Sequence, residues 1–158
     1  MEPLYKSVTK YSFEEYKKFN YAITTAINKM HVKTVIIVLM FVLLAYMYMK
    51  QSMYATTIML LCAVIFPLFF YLTINSNIKK TYNSNKSMKD LEVEFEFYKD
   101  YCLYKCKLGE TKFEYKNLYR VIETKTNFYL MIAKNQGIIL KKENCSEELQ
   151  KFIKELSN

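Results

Sequence analysis

The residues able to do chemistry are few, and their spacing does not suit it. Glu92, Glu94 and Glu96 are three carboxylates at every second position, which on an extended strand puts all three on one face. The ladder alternates with Leu91, Val93, Phe95 and Phe97, so it reads as the solvated face of a half-buried strand rather than as an acid site. Of the four cysteines, Cys62 falls inside a long apolar run and Cys145 precedes a predicted C-terminal helix. Cys102 and Cys106 lie on a predicted strand, about 13 Å apart at 3.3 Å per residue, too far for a disulfide. Free, mostly buried thiols in a reducing compartment are expected. There is no C-x-x-C, and the only histidine, His31, sits at the edge of an apolar run, so no metal site is expected. With one histidine, one arginine (Arg120), two glycines and no serine or cysteine beside a base, the chain is expected to be no enzyme and to need no cofactor.

What must position these residues begins with two apolar runs. Val35 to Met49 is followed, after only Lys50-Gln51-Ser52, by Met53 to Ile74. In hydrocarbon each backbone polar group must be satisfied within its own segment, so two such runs joined by a minimal turn predict a transmembrane helical hairpin. The stretch between Lys33 and Lys50 is about 24 Å long as a helix, against roughly 30 Å of hydrocarbon. Its flanking lysines must therefore snorkel. Pro67 should bend the second helix while Leu68 to Leu72 continue it. Tyr46, Tyr48 and Tyr54 cluster at the turn, where an aromatic belt would sit. A buried hairpin in a soluble protein is disfavoured, because the remaining chain is too short to cover two almost uniformly apolar helices.

The net charge of +8 is unevenly spread: residues 1–89 hold 11 lysines against Glu2, Glu14 and Glu15, and residues 90–158 hold 12 basic against 12 acidic residues. A nucleic-acid reader would carry its basic surface on the soluble part, so nucleic acid is not expected as a partner. Lys17, Lys18, Lys29 and Lys33 precede the first run and Lys79, Lys80, Lys86 and Lys89 follow the second, whereas the turn offers Lys50 alone. By the positive-inside rule both termini are cytoplasmic, in a multi-pass arrangement. No cleavable signal peptide is expected, since the first run begins after residue 30 and lacks a small-residue cleavage site. Lys79, Lys80, Lys86 and Lys89 are candidates for anionic-lipid contact at ~1 kcal/mol each. The competing reading is that they only set topology.

From Leu91 the apolar period becomes two. Lys99-Asp100 predicts a tight turn that sets Tyr98 against Tyr101, Phe95 against Tyr104, Glu94 against Lys105, Val93 against Cys106 and Glu92 against Lys107, matching charge to charge and apolar to apolar. A second turn at Gly109-Glu110 would place Glu114 beside Lys105 and Phe113 beside Cys106, stitching Glu94, Lys105 and Glu114 together. Further strands are expected at Leu118–Lys125, Phe128–Ala133 and Ile138–Lys142. Asn144 with Glu147 resembles a capping box, opening a helix with Leu149, Phe152, Ile153 and Leu156 on one face. Six antiparallel strands and this helix predict an α+β fold, a bent antiparallel sheet or small barrel capped by the C-terminal helix, as in pleckstrin-homology-like (PH-like) domains.

Ahead of the runs, Ser12 with Glu15 forms a capping box that opens a helix carrying Phe13, Tyr16, Phe19, Tyr21 and Ile23, to about Asn28. Leu4 to Tyr11 alternates loosely. It is either a seventh strand of the sheet or the tip before an interfacial amphipathic helix. The expected organisation is an N-terminal strand and amphipathic helix over 1–30, the hairpin over 31–78, a basic linker over 79–89 and the sheet domain over 90–158.

Phe97-Tyr98-Lys99-Asp100, Tyr115 to Thr124, Phe128-Tyr129-Leu130 and Gly137 to Lys142 together resemble the YcxB-like family of small bacterial membrane proteins. The chain departs from that pattern at Leu140, where a proline is common, and at Cys145, where a phenylalanine is common. The resemblance implies a PH-like cytoplasmic domain on a hairpin in the cell membrane and brings no catalytic residues with it. The leading expectation is a non-catalytic interaction module at the inner face of a bacterial membrane, whose partners are the bilayer and a protein segment or lipid head group. The alternative is an immunity or envelope-stress protein whose hairpin counters a membrane-active toxin.

Overall fold

A computed structural model describes residues 2–156, so Met1 of the N-terminal segment and Ser157 and Asn158 of the sheet domain lie outside the described residues. The chain divides into two compact units, residues 28–81 and a second one that joins Met1–Ile27 to Tyr82–Asn158.

In the first unit, α2 (Met30–Tyr48) and α3 (Met53–Ser84) form a helical hairpin. Both are long and apolar enough to cross a membrane. Their large side chains point outward: Leu43 on α2 is 62% exposed and Phe69 on α3 is 67% exposed. A water-soluble protein would bury such faces. Ala45 on α2 and Ala63 on α3 are buried, the Thr56 hydroxyl on α3 donates to the Ala45 carbonyl at 3.5 Å, and the rings of Phe41 and Phe66 lie 6.4 Å apart. Ser52 opens α3 by accepting from the Ala55 amide at 3.2 Å. The helix runs unbroken through Pro67 to Ser84 and so carries the first half of the basic stretch 79–89.

The second unit is α+β. Among the described residues, seven antiparallel strands lie in two sheets, one ordered β1 (Tyr5–Tyr11), β2 (Leu91–Phe97), β3 (Tyr101–Cys106), β4 (Gly109–Glu114), the other β5 (Arg120–Glu123), β6 (Asn127–Ala133), β7 (Gln136–Lys141). The N-terminal segment is thus a strand. Its pairing with β2 runs from Tyr5 opposite Phe97 to Tyr11 opposite Leu91. The β2–β3 register is as the charges predict, with Glu94 opposite Lys105 and Val93 opposite Cys106.

The β4 register differs. The turn is at Lys107-Leu108, so Glu110 rather than Glu114 stands opposite Lys105, and Phe113 stands opposite Cys102 rather than Cys106. The expected register would have set Lys107 against Lys112. The observed one puts Lys107 and Leu108 in the turn and uses Gly109 at φ +140°, a conformation that costs glycine little. Because the slip is an even number of residues, no side chain changes face. β5 is also shorter than the expected Leu118–Lys125: Leu118 and Tyr119 lead out of the 3-10 turn Tyr115–Asn117, and Thr124 and Lys125 belong to the turn before β6.

Helix α1 (Phe13–Ala26) is capped by Ser12, which accepts from the Glu15 amide. It buries Glu15, Phe19, Ala22 and Ile23 on one face, the i, i+4, i+7, i+8 stripe of an amphipathic helix. Helix α4 (Glu147–Glu155) is capped by Ser146, not Asn144. Asn144 instead donates its side-chain amide to the Val8 carbonyl at 2.6 Å, the stronger use of a residue lying beside a strand edge. Leu149 and Ile153 are fully buried, and Phe152 lies between the rings of Tyr5 and Tyr115, each 5.6 Å away. The core is continuous from α1 through both sheets to α4.

Candidate functional site

Two polar clusters in the sheet domain result from this packing. The first lies on the outer face of β1–β3. Lys6 and Lys105 reach Glu96 at 2.9 and 2.7 Å, and Tyr98 donates to the same carboxylate at 3.2 Å. Glu96 is buried, while Glu92 is exposed and Glu94 half-buried, so the ladder is not uniformly solvated. The two lysines hold the Glu96 carboxyl at about 2, well below the usual range. The expected trio is replaced: Lys105 binds Glu96 diagonally rather than Glu94, and Glu114 pairs with Lys116 at 2.8 Å. Diagonal neighbours on one sheet face are within reach of a lysine's long stem.

The second cluster joins α1 to the β5–β6 hairpin. Glu15 is buried, accepts from Lys18 Nζ at 2.8 Å, and accepts from the side-chain amide of the fully buried Asn127. Asn127 Oδ1 is buried and has no hydrogen-bond partner among the described residues. Thr124 organises the turn: its hydroxyl donates to the Asn127 carbonyl at 3.0 Å and accepts from the Asn127 amide at 3.1 Å. Beside this cluster lies an open cavity of about 460 Å³ lined by Glu14, Lys17, Lys18, Tyr21, Lys125 and Thr126 among others. Tyr129 also borders it, its phenol pushed up to about 12 by burial. Sequence reasoning passed over this pair because Glu15 and Asn127 are separated by 112 positions, and only the strand order brings them together.

The lysines singled out for lipid contact divide. Lys79 and Lys80 are exposed on α3, and Lys86 and Lys89 are exposed in the turn before β2. None of the four has an ion pair among the described residues. The four cysteines are free, with Cys102 and Cys145 buried. Burial pushes both thiols up, which suits packing rather than reactivity. Among the described residues, no group of three histidine, cysteine or acidic side chains could hold a metal ion.

Fold and site define a two-helix hairpin protein carrying an α+β domain closed by strands from both sides of the hairpin. Residues 97–157 match the model of the family described as YcxB-like protein, the family that the residues themselves resemble. That stretch covers β3 to α4 and the end of β2, and omits β1 and α1. No curated protein and no solved structure gave a significant match.

Proposed function

We propose that this protein is a membrane-anchored, non-catalytic interaction module: a two-span anchor holding a PH-like domain at the inner face of a bacterial cell membrane, where the domain binds a protein segment or a lipid head group. The observation that carries the reading is the pairing of β1 with β2. Segments on either side of the hairpin share one sheet, so if α2 and α3 cross a bilayer, both flanks lie on the same side of it. The lysines that precede α2 and follow α3 favour the cytoplasmic side. With α1 and the hairpin inserted after β1, a four-stranded sheet, a three-stranded sheet and a C-terminal helix fit the strand count of a PH-like domain, although a fold alone does not assign a role. The charged groups that the domain gathers are bonded to one another, Glu96 to Lys6 and Lys105 and Glu15 to Lys18. That favours a scaffold over a freed acid or nucleophile. Lys79, Lys80, Lys86 and Lys89 add attraction for anionic lipid at about 1 kcal/mol each.

Site-specific photo-crosslinking in cells tests the reading. A crosslinker at exposed domain positions such as Val8 or Tyr119 should capture a discrete protein or one lipid class selectively, and one at Leu43 in the hairpin should capture bulk lipid only. Capture of a discrete protein from Leu43 alone would assign function to the hairpin, as an immunity or envelope-stress role requires.

A further inference from the structure

We propose that the cavity between α1 and the β5–β6 turn binds a phosphate-bearing small molecule or lipid head group, through Lys17 and Lys125. The assignment rests on the interaction-module reading and gives it a ligand. The cavity of about 460 Å³ is within the range of small-ligand sites. One wall is a face of α1, to which Glu14, Lys17, Lys18, Tyr21 and Thr25 contribute at helical spacing, and the other is the turn Thr124 to Thr126.

Charge balance separates this cavity from its neighbours. A second cavity sets Lys99 and Lys116 against Asp100 and Glu114, and a third sets Lys6 and Lys10 against Glu92 and Glu94. Here three lysines meet one lining carboxylate, Glu14. Lys18 is committed to Glu15, whereas Lys17 and Lys125 have no carboxylate partner among the described residues. With Lys18 paired, Lys17 and Lys125 share the cavity with Glu14 alone, an excess of one positive charge that a concave wall focuses. A bound anion balances that excess. Lysine is a point-charge partner for phosphate.

The lysine on the turn is also held in place. Thr124 and Asn127 lock the turn by two hydrogen bonds, and the Lys142 amide donates to the Thr126 carbonyl at 2.9 Å. Lys125 is therefore presented from fixed backbone, and less ordering is required on binding. The chain passes from α1 into the apolar α2 after only Ile27 to Lys29, which makes a lipid head group one of two natural sources of the phosphate. A soluble phosphate ester is the other.

The full chain in nanodiscs of neutral phosphatidylcholine, titrated with glycerol 3-phosphate, provides the test. K17Q/K125Q should weaken binding at least about tenfold, the loss expected for hydrogen bonds to a charged group. K99Q/K107Q, which removes the same charge elsewhere, should bind as the natural chain does, and K17R/K125R should retain binding. Nanodiscs containing phosphatidylglycerol distinguish the sources: displacement of the soluble ester assigns the site to lipid, and undiminished binding assigns it to a soluble ligand. Equal losses in the two glutamine pairs, no phosphate binding, or binding only of an acidic peptide would overturn the proposal. Crosslinking from other domain positions would still report on the module reading.

Discussion

The hydroxyl of Tyr82, near the end of α3, donates to the backbone carbonyl of Tyr11 at the end of β1, 3.1 Å away and buried, and accepts from the Asp90 amide at 3.2 Å. One phenol thus joins the strand that leads toward the hairpin, the helix that returns from it and the residue before β2. The ring is held by Phe13 and Tyr16, with centroids at 5.5 and 5.6 Å. Tyr82→Phe keeps those contacts and loses both hydrogen bonds, which should cost about 1–3 kcal/mol. Tyr82→Ala should cost more, about 3–5 kcal/mol, by adding a cavity. Denaturant unfolding in a mild detergent compares them, and a Tyr82→Phe variant as stable as the natural chain would show that the phenol bonds contribute nothing.

Glu96 gives a pH dependence with a definite sign. Its carboxyl is held at about 2 by Lys105 and Lys6, against an ordinary 4.5. In that interval the unfolded chain binds a proton that the folded chain does not, so this contribution is present above about pH 4.5 and is lost as the pH falls toward 2. Glu96→Gln should flatten the acid limb of the stability profile between those values. Lys105→Glu, which sets a third carboxylate beside Glu94 and Glu96, should destabilise more than Lys99→Glu at the neighbouring turn. Reversal of that order in thermal melts would place Lys105 away from Glu96.

Much of this architecture is legible in the sequence where neighbours in the chain decide it. The β2–β3 register follows from Glu94 and Lys105 because a tight turn leaves few alternatives. The β4 register does not, since two turns of equal plausibility differ by an even slip that keeps Phe113 inward in both. The N-cap of α4 is ambiguous for a similar reason: Asn144 and Ser146 are both good caps, and only the Val8 carbonyl, 136 positions away, claims Asn144. Glu15 illustrates the limit best. Read locally it completes a capping box with Ser12. In the fold its carboxylate turns inward to Asn127, and the cavity beside that pair has no local signature.

Gly137 tests the packing of the smaller sheet. A Cβ there would stand 2.8 Å from the Leu130 carbonyl oxygen and 3.1 Å from Met131 Cα, next to the irregularity between Met131 and Ala133 in β6. Backbone atoms in a paired strand have little room to yield, so Gly137→Ala should destabilise by about 1–3 kcal/mol, the usual cost of overpacking. Ile132→Ala, at an exposed position in the same hairpin, should change stability far less. Equal effects in denaturant titrations would mean that the hairpin relaxes freely.

The last prediction follows from β1 being supplied from before the hairpin. Residues 90–158 alone contain six strands and α4 but leave the β2 edge unpaired over seven residues, Leu91 to Phe97. They also remove Ser7, whose hydroxyl bonds the Asn144 carbonyl at 3.1 Å, and Thr9 and Tyr11, whose hydroxyls accept from the amides of Lys141 and Ile139. An unpaired edge of alternating apolar residues is a template for association, and α1 would no longer cover Phe19's partner Tyr129, 5.5 Å away. The isolated 90–158 fragment should aggregate or dimerise. A chain in which residues 2–27 are joined to 82–156 by a flexible linker should be monomeric, and it should melt cooperatively as one domain. Chromatography with light scattering reads the first property and calorimetry the second. A well-dispersed, cooperatively melting 90–158 fragment would show that β1 is dispensable to the sheet, and with it the constraint that holds both flanks of the hairpin on one side.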